Sequence, residues 1–237
     1  MATTKSRKWM WWIGGGIVVV IAALVLGPYI YIHFIEPDPA PKLSISNTPP
    51  PTNATTDGSA AKDAALTGTW NITTGSKGQY RVKEVLFGQD STATGVTDKV
   101  TGSATFDGTT VKTAKITVDL TGLSSDSGNR DNQVQGRILE TSQFPDATFE
   151  LTQPITLPSD GADGKEMKVT ATGNLTLHGV TKPVTTEITA RRSGSTIEAS
   201  GAIPIKFSDY QINDPSGGPA KVGDDGSLEY LVVLSLA

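Results

Sequence analysis

The side chains able to do chemistry in this 237-residue chain are few and scattered. There are two histidines, His33 and His178, and no cysteine. Disulfides, thiolate metal ligands and cysteine nucleophiles are therefore excluded. No pair of histidines supports a zinc site, and no Gly-x-Ser-x-Gly elbow occurs. His178 would have to serve alone as a general base, and it stands in a Leu-His-Gly-Val corner, where a histidine satisfied in a turn is the simpler reading. Asp160, Asp163 and Glu166 crowd a glycine-rich loop, but they do not follow calcium-loop spacing and read as a solvated turn. Arg130 and Asp131 are the most suggestive charged pair. At the mouth of a pore they would bind a polar head group; at a helix start they would cap it and tie a loop down. Tyr80, Tyr210, Arg191 and Arg192 are further polar candidates without a diagnostic spacing. The chain is expected not to be an enzyme and to hold no metal.

The elements that must position these residues are strands. From Lys165 to Arg191, Met167, Val169, Ala171, Gly173, Leu175 and Leu177 alternate with polar residues, Gly179 breaks the run, and Val184, Thr186, Ile188 and Ala190 resume it. Period two over this length marks a long hairpin with one dry face, His178 at its corner. Gly68–Ile72, Gln79–Leu86, Val100–Phe106, Ala114–Leu120, Ala147–Leu151, Ile197–Phe207 and Leu228–Leu236 read the same way, with Asp107-Gly108 as a hairpin turn. One helix is expected, over Arg130–Glu140. The pattern leaves a sandwich or a closed barrel, and long strands with one apolar face suit an eight-stranded antiparallel barrel.

Alternation puts every second side chain inside such a barrel. The candidates are Phe106, Ile116, Val118, Phe149, Val169, Leu175, Leu177, Ile203, Ile205, Phe207, Tyr230 and Val232. Two outcomes are open for them, a solid core or a ligand-holding lumen. The small residues Gly102, Ala104, Ala171, Gly173, Ala199 and Gly201 on the same faces favour the lumen, because they leave volume that a lipid tail can occupy.

The N-terminal part is different material. Lys5, Arg7 and Lys8 lie in a basic tail (1–8), and no acidic residue precedes Glu36. The remainder holds 17 of the 20 basic residues and all 24 acidic ones, an acidic balance that does not favour nucleic acid. Trp9–Ile35 carries no charge over 27 residues, with Trp9, Trp11 and Trp12 at one end and Tyr29, Tyr31 and Phe34 at the other. As a helix it covers about 40 Å, more than the ~30 Å of a hydrocarbon core. It is expected to be a single-pass anchor in the plasma membrane, N-terminus cytoplasmic and the rest extracytoplasmic. A cleaved leader is the rival reading, but its apolar core would be shorter and no small-x-small site follows closely. Residues 36–66, rich in Pro and Thr, are expected to form a disordered linker spanning roughly 30 Å as a flexible chain. Residues 67–237 form the barrel domain.

Five pieces of that domain carry a family resemblance. They are Gly68-Thr69-Trp70, Gly78-Gln79-Tyr80-Arg81-Val82, the Asp126–Asp131 stretch ending in Arg-Asp, Phe144-Pro145 with Ala147-Thr148-Phe149, and Asn174 to Val184 with its Leu-His-Gly-Val-Thr-Lys-Pro core. In this order they resemble the YceI-like family of lipid- and polyisoprenoid-binding proteins. Gln133 stands where many members have His, and the stretch Val134–Gln143 is shorter than in many. The resemblance implies a lipocalin-like barrel in a bacterial cell envelope, its pore holding an isoprenoid quinone or polyprenyl lipid, and Arg130, Asp131, His178 and Gly179 as structural motif residues. The chain is thus expected to be a membrane-tethered binding protein for such an amphiphile, with the lipid and the membrane as its partners. It needs no cofactor beyond a bound lipid or quinone. The alternative is an accessory or scaffold subunit of a membrane complex, for example a respiratory one. Many relatives are dimeric, so a homodimer is a further expectation.

Overall fold

The computed structural model describes residues 26–27, 29–30, 34, 37–46, 66–158 and 164–237. The basic tail, most of the expected anchor, residues 47–65 of the expected linker, and Asp160 and Asp163 lie outside the described residues. Among the described residues no helix is long and apolar enough to cross a membrane.

Twelve strands are described: β1 (Gly68–Ile72), β2 (Lys77–Leu86), β3 (Gln89–Thr97), β4 (Val100–Asp107), β5 (Thr110–Asp119), β6 (Asp146–Leu151), β7 (Ile155–Thr156), β8 (Glu166–Leu177), β9 (Val180–Ser193), β10 (Thr196–Lys206), β11 (Ala220–Val222) and β12 (Asp225–Leu236). Eight of them close an antiparallel barrel in the order β1-β4-β5-β6-β8-β9-β10-β12, with β12 pairing back to β1. The turn chemistry is local and simple. Phe87-Gly88 and His178-Gly179 are two-residue hairpin loops with positive φ at both positions, as this connection requires. The polar face of the long strands is rich in threonine because it packs side by side on the outside. Thr101, Thr117, Thr148, Thr176 and Thr181 stand in register across five strands.

The barrel is not uniform along its axis. At its base, β1 pairs with the end of β12 through Trp70↔Leu236 and Ile72↔Leu234. Higher up, β12 pairs instead with β2, from Ser227↔Arg81 to Leu231↔Lys77. Strand β3 pairs with β2 along its length, while its other side meets only the isolated bridge Val96↔Ser124. The wall is therefore open along the outer edge of β3. Residues 120–127 and the helix α1 (Gly128–Gln133) roof this gap. The helix starts two residues earlier than its sequence signals, because Ser127 caps it by accepting from the Arg130 N–H, and it passes into a wider π-type turn at Val134–Ile138 rather than running to Glu140.

Two apolar clusters fill the interior. The lower one holds Trp70, Ala104, Phe106, Val111, Ala171, Val232 and Leu234 and is a solid plug. The upper one includes Leu120, Leu123, Val134, Ala147, Leu175, Leu177, Ile203, Ile205 and Phe207. Phe149 and Tyr230 pack against both and so mark the level between them.

Pro37–Ser46 were expected to belong to a disordered linker. They lie instead as an extended strap against the outside of the barrel. The strap crosses β3, β2, β12, β10 and β9 and bonds each in turn. Ala40 N donates to Thr94 Oγ1, Arg81 Nη2 to the Ala40 carbonyl, Gln79 Nε2 to the Pro41 carbonyl and Leu43 N to Glu229 Oε2. Ser46 Oγ then donates to Glu198 Oε1, and Arg191 Nη2 to the Ser46 carbonyl. Beneath it lie the ion pairs Arg81–Glu229 at 2.6 Å and Arg191–Glu198 at 2.8 Å. Glu229 and Arg191 are each only 4% exposed, unusual for charges on the outer face of a small barrel. Ile45, also buried, adds apolar contact.

Candidate functional site

The upper half of the barrel encloses a cavity of about 510 Å³. Its wall is built by period-two alternation: Tyr80, Val82, Glu84 and Leu86 of β2 face it, with Ala93 of β3, Val118 of β5, Ala147 of β6, Leu177 of β8 and Ile205 of β10. Leu120, Leu123, Val134, Ile138 and Leu139 close it from the roof side. At the open end stand Asp126, Ser127, Asn129, Arg130 and Gln133 of the helix region, Phe87 of the β2–β3 hairpin, Pro215 and Pro219 of the loop before β11, and Pro37 of the strap. Apolar walls with a few polar groups at one end are the usual form of an amphiphile site.

The polar groups at that end are organised around Arg130. Its guanidinium pairs with Glu84 Oε1 at 3.3 Å and with Asp126 Oδ1 one helical turn before it. Asp131 does not face this cluster as a free group, since its Oδ1 accepts from Ser125 N at 2.8 Å and ties down the loop entering the helix. Next to the cluster is Tyr80, whose ring lies over Gly95. A Cβ on Gly95 would come within 2.4 Å of that ring, so the glycine is what lets Tyr80 lie across the lumen. The Tyr80 hydroxyl is buried without a hydrogen-bond partner. Burial pushes its pKa well up from 10; Arg130 opposes the shift, and Asp131, Asp126 and Glu84 add to it. The mouth thus combines one cation, the two carboxylates that share it and one phenol whose hydroxyl has no partner.

The expected pore-lining residues separate by depth. Val118, Leu177, Ile205 and Phe207 line the cavity. Leu175 and Ile203 belong to the surrounding upper core, while Phe106, Ile116, Val169 and Val232 pack in the lower plug and touch no lumen. Phe149 and Tyr230 form the level between. The small residues do not open the space expected of them. A Cβ at Gly173 would meet the Phe149 ring at 2.4 Å, and one at Gly201 would meet the Tyr230 hydroxyl at 2.4 Å. Aromatic side chains from neighbouring strands occupy the volume these glycines vacate, and Ala104 and Ala171 are buried in the plug. The small residues that do line the cavity are Gly78, Ala93 and Ala147, of which Ala93 lies on β3, a strand whose polar sequence hid its inward face.

His178 is held rather than poised. Its Nδ1 lies 3.1 Å from the Tyr210 carbonyl, its Nε2 3.3 Å from Glu140 Oε2, and its ring packs edge-on against Phe144 at 4.6 Å. Gly179 has φ +74°, and a Cβ there would come within 2.6 Å of Phe144. Both residues clamp the β8–β9 corner onto the segment before β6. Arg191 is consumed by the strap and Glu198. Glu166 is a distant second carboxylate for it, at 3.8 Å. Arg192 Nε donates to the Gly194 carbonyl within its own hairpin. Tyr210 is a core residue whose phenol burial pushes up. Among the described residues no group of three His, Asp or Glu side chains is placed to hold a metal ion.

The profile of the YceI-like domain matches residues 70–234. This chain belongs to the YceI-like family. Curated relatives include a UPF0312 protein of Vibrio parahaemolyticus, 36% identical over 89 residues (36% of this chain, 43% of that one). Another is a UPF0312 protein of Enterobacter sp., 35% identical over 129 residues (49% and 61%). The matched stretches thus span about half the length of these relatives. Among solved structures, a polyisoprenoid-binding domain from Saccharophagus degradans implicated in plant cell wall breakdown superposes with a TM-score of 0.58. It is 17% identical and covers 72% of this chain and 99% of that one. BcnA of Burkholderia cenocepacia gives a TM-score of 0.53 at 24% identity, covering 67% and 95%. These structures share the all-β barrel with this YceI-like domain.

Proposed function

We propose that the barrel binds one amphiphilic lipid of isoprenoid type, and that residues 9–35 tether it to the plasma membrane with the barrel on the extracytoplasmic side. The observation that carries the reading is the closed-bottomed apolar cavity with a buried, unpartnered Tyr80 hydroxyl at its polar end. Membership of the YceI-like family, and the polyisoprenoid-binding neighbour, support it. The tail lies against Val118, Leu177, Ile205 and Phe207. The plug around Trp70 limits its depth, so a chain longer than the cavity doubles back toward the mouth. The head sits beside Tyr80 and Arg130.

That mouth favours an uncharged head with an oxygen acceptor, such as a quinone carbonyl, over a phosphorylated one. Arg130 is already shared by Glu84 and Asp126, so a phosphate would meet carboxylates before it met an unshared cation. The energetics suit exchange. Burying a CH₂ from water is worth ~0.8 kcal/mol, but an isoprenoid leaves a membrane rather than water, and most of that gain cancels. Net affinity then rests on fit and on the head-group contacts, which allows loading and unloading.

Native mass spectrometry of the full chain, purified gently from its own host, tests the reading. A bound isoprenoid in stoichiometric amount is the expected result. A barrel that is reproducibly empty, and that also fails to take up short-chain ubiquinone, overturns it.

A further inference from the structure

We infer that the strap turns the mouth of the cavity toward the membrane and seats its rim on the bilayer surface. This rests on the tether proposed above and adds an orientation to it.

The strap has a direction. Ser46 lies over Arg191 and Glu198, near the base of β9 and β10, and the chain runs from there back through Leu43 and Ala40 to Pro37. Pro37 itself lines the cavity at its open end. Only two residues, Ile35 and Glu36, separate Pro37 from Phe34. Three Cα–Cα steps reach at most about 11 Å. The last residues of the 27-residue uncharged run therefore lie beside the mouth, whatever the course of the run before them. A linker free as far as residue 66 would have allowed any orientation at roughly 30 Å. The strap removes that freedom.

The surfaces at the two ends agree with this polarity. Phe34 is 78% exposed, and Leu26, Tyr29 and Ile30 are about half exposed. On the rim, Phe87 is 50% exposed at the tip of the β2–β3 hairpin, with Val85 beside it, and Phe87 N donates to the Pro219 carbonyl, which fixes the tip. Phe34 and Phe87 thus give the mouth side exposed apolar side chains suited to the interfacial zone of a bilayer. The base presents the Gly108-Thr109 and Gly194-Ser195 turns with the Asp107–Lys112 pair, and Leu236 as its exposed apolar side chain. Holding the strap down is built into the wall. Lifting it would bare Arg81, Glu229, Arg191 and Glu198 and strip them of the carbonyl, N–H and hydroxyl partners the strap supplies. A lipid tail leaving the mouth would pass into the outer leaflet without crossing water.

The cysteine-free chain makes the test direct. The full chain is placed in phosphatidylethanolamine/phosphatidylglycerol vesicles containing a spin-labelled head-group lipid. A bimane label is attached either at Asp90→Cys, on the mouth hairpin, or at Ser195→Cys, on the base turn. Quenching of the mouth label to less than half, with the base label unchanged, is expected. A third protein carries about 20 Gly/Ser residues between Glu36 and Pro37, giving a coil of about 25 Å, and should lose the difference. Equal quenching of both labels in the parent chain overturns the orientation even if the chain floats with the vesicles and carries lipid. A difference that survives the insertion shows that the strap does not set it. A chain that fails to float at all removes the tether, and this inference with it, while leaving the lipid cavity standing.

Discussion

Tyr80 is the side chain on which most of the site turns. A buried hydroxyl without a partner costs about 1–3 kcal/mol, so the ligand-free protein carries a penalty that a bound oxygen acceptor relieves. Tyr80→Phe should leave the ligand-free barrel as stable or about 1 kcal/mol more stable, while short-chain ubiquinone binds roughly tenfold more weakly by fluorescence titration. Unchanged affinity would detach the hydroxyl from the head group. The same residue sets an alkaline limit. Burial holds the phenols of Tyr80, Tyr230 and Tyr210 above their ordinary value of 10. In the unfolded chain they ionise near 10, so their share of stability is intact below that pH and declines as pH rises past it. Melting curves should therefore be flat in this respect from pH 7 to 9 and fall beyond 10, and the fall should be smaller in Tyr80→Phe.

At the scale of elements, the strap and the wall beneath it act as one unit. Glu229 accepts from Arg81 Nε, Gln79 Nε2 and Leu43 N, at 2.6, 2.8 and 3.3 Å. Glu229→Ala leaves Arg81 without its counter-charge under the strap and should cost about 3–5 kcal/mol in urea unfolding. A loss below 1 kcal/mol would mean that the strap is loosely held. This arrangement was invisible in the sequence for a physical reason. Pro37–Ser46 has no periodicity because it pairs through its backbone with side chains of other strands, and one buried residue, Ile45, leaves no pattern. Strand β3 escaped for a related reason. Its inward residues, Ala93 and Gly95, are small because Val82 and Tyr80 lie across them, so Gln89–Thr97 shows no apolar alternation. The hairpin from β8 to β9, by contrast, was legible to within two residues, since its dry face is continuous and its His-Gly corner is a turn signal. Periodicity told which residues face inward but not how deep they lie. That is why Leu177 and Val232 looked alike, and why one lines the cavity while the other fills the plug.

On the scale of the whole molecule, a sequence pattern that allowed a sandwich or a barrel resolves into a barrel because β12 meets both β1 and β2. The acidic balance beyond Glu36 is spread over strands and loops, and among the described residues the buried carboxylates Glu84, Glu198 and Glu229 are each matched to an arginine of the outer wall or the mouth. The seam at the base, Trp70 against Leu236, joins the first strand of the domain to the last. Its timing matters in a growing chain. Synthesis delivers β1 and β4 early and β12 last of the barrel strands, so the ring stays open, with unpaired edges, until β12 emerges. Closing so large a loop is slow, in the millisecond-to-second range or beyond. Chains ended at Asp224 should stay protease-sensitive and aggregate, whereas full-length chains should become resistant in one step when chased. Resistance acquired before β12 is complete would show that the seam is a finishing touch. If it is instead the closing event, each molecule is an unfinished sheet until β12 is made and becomes a container only once that strand is in place.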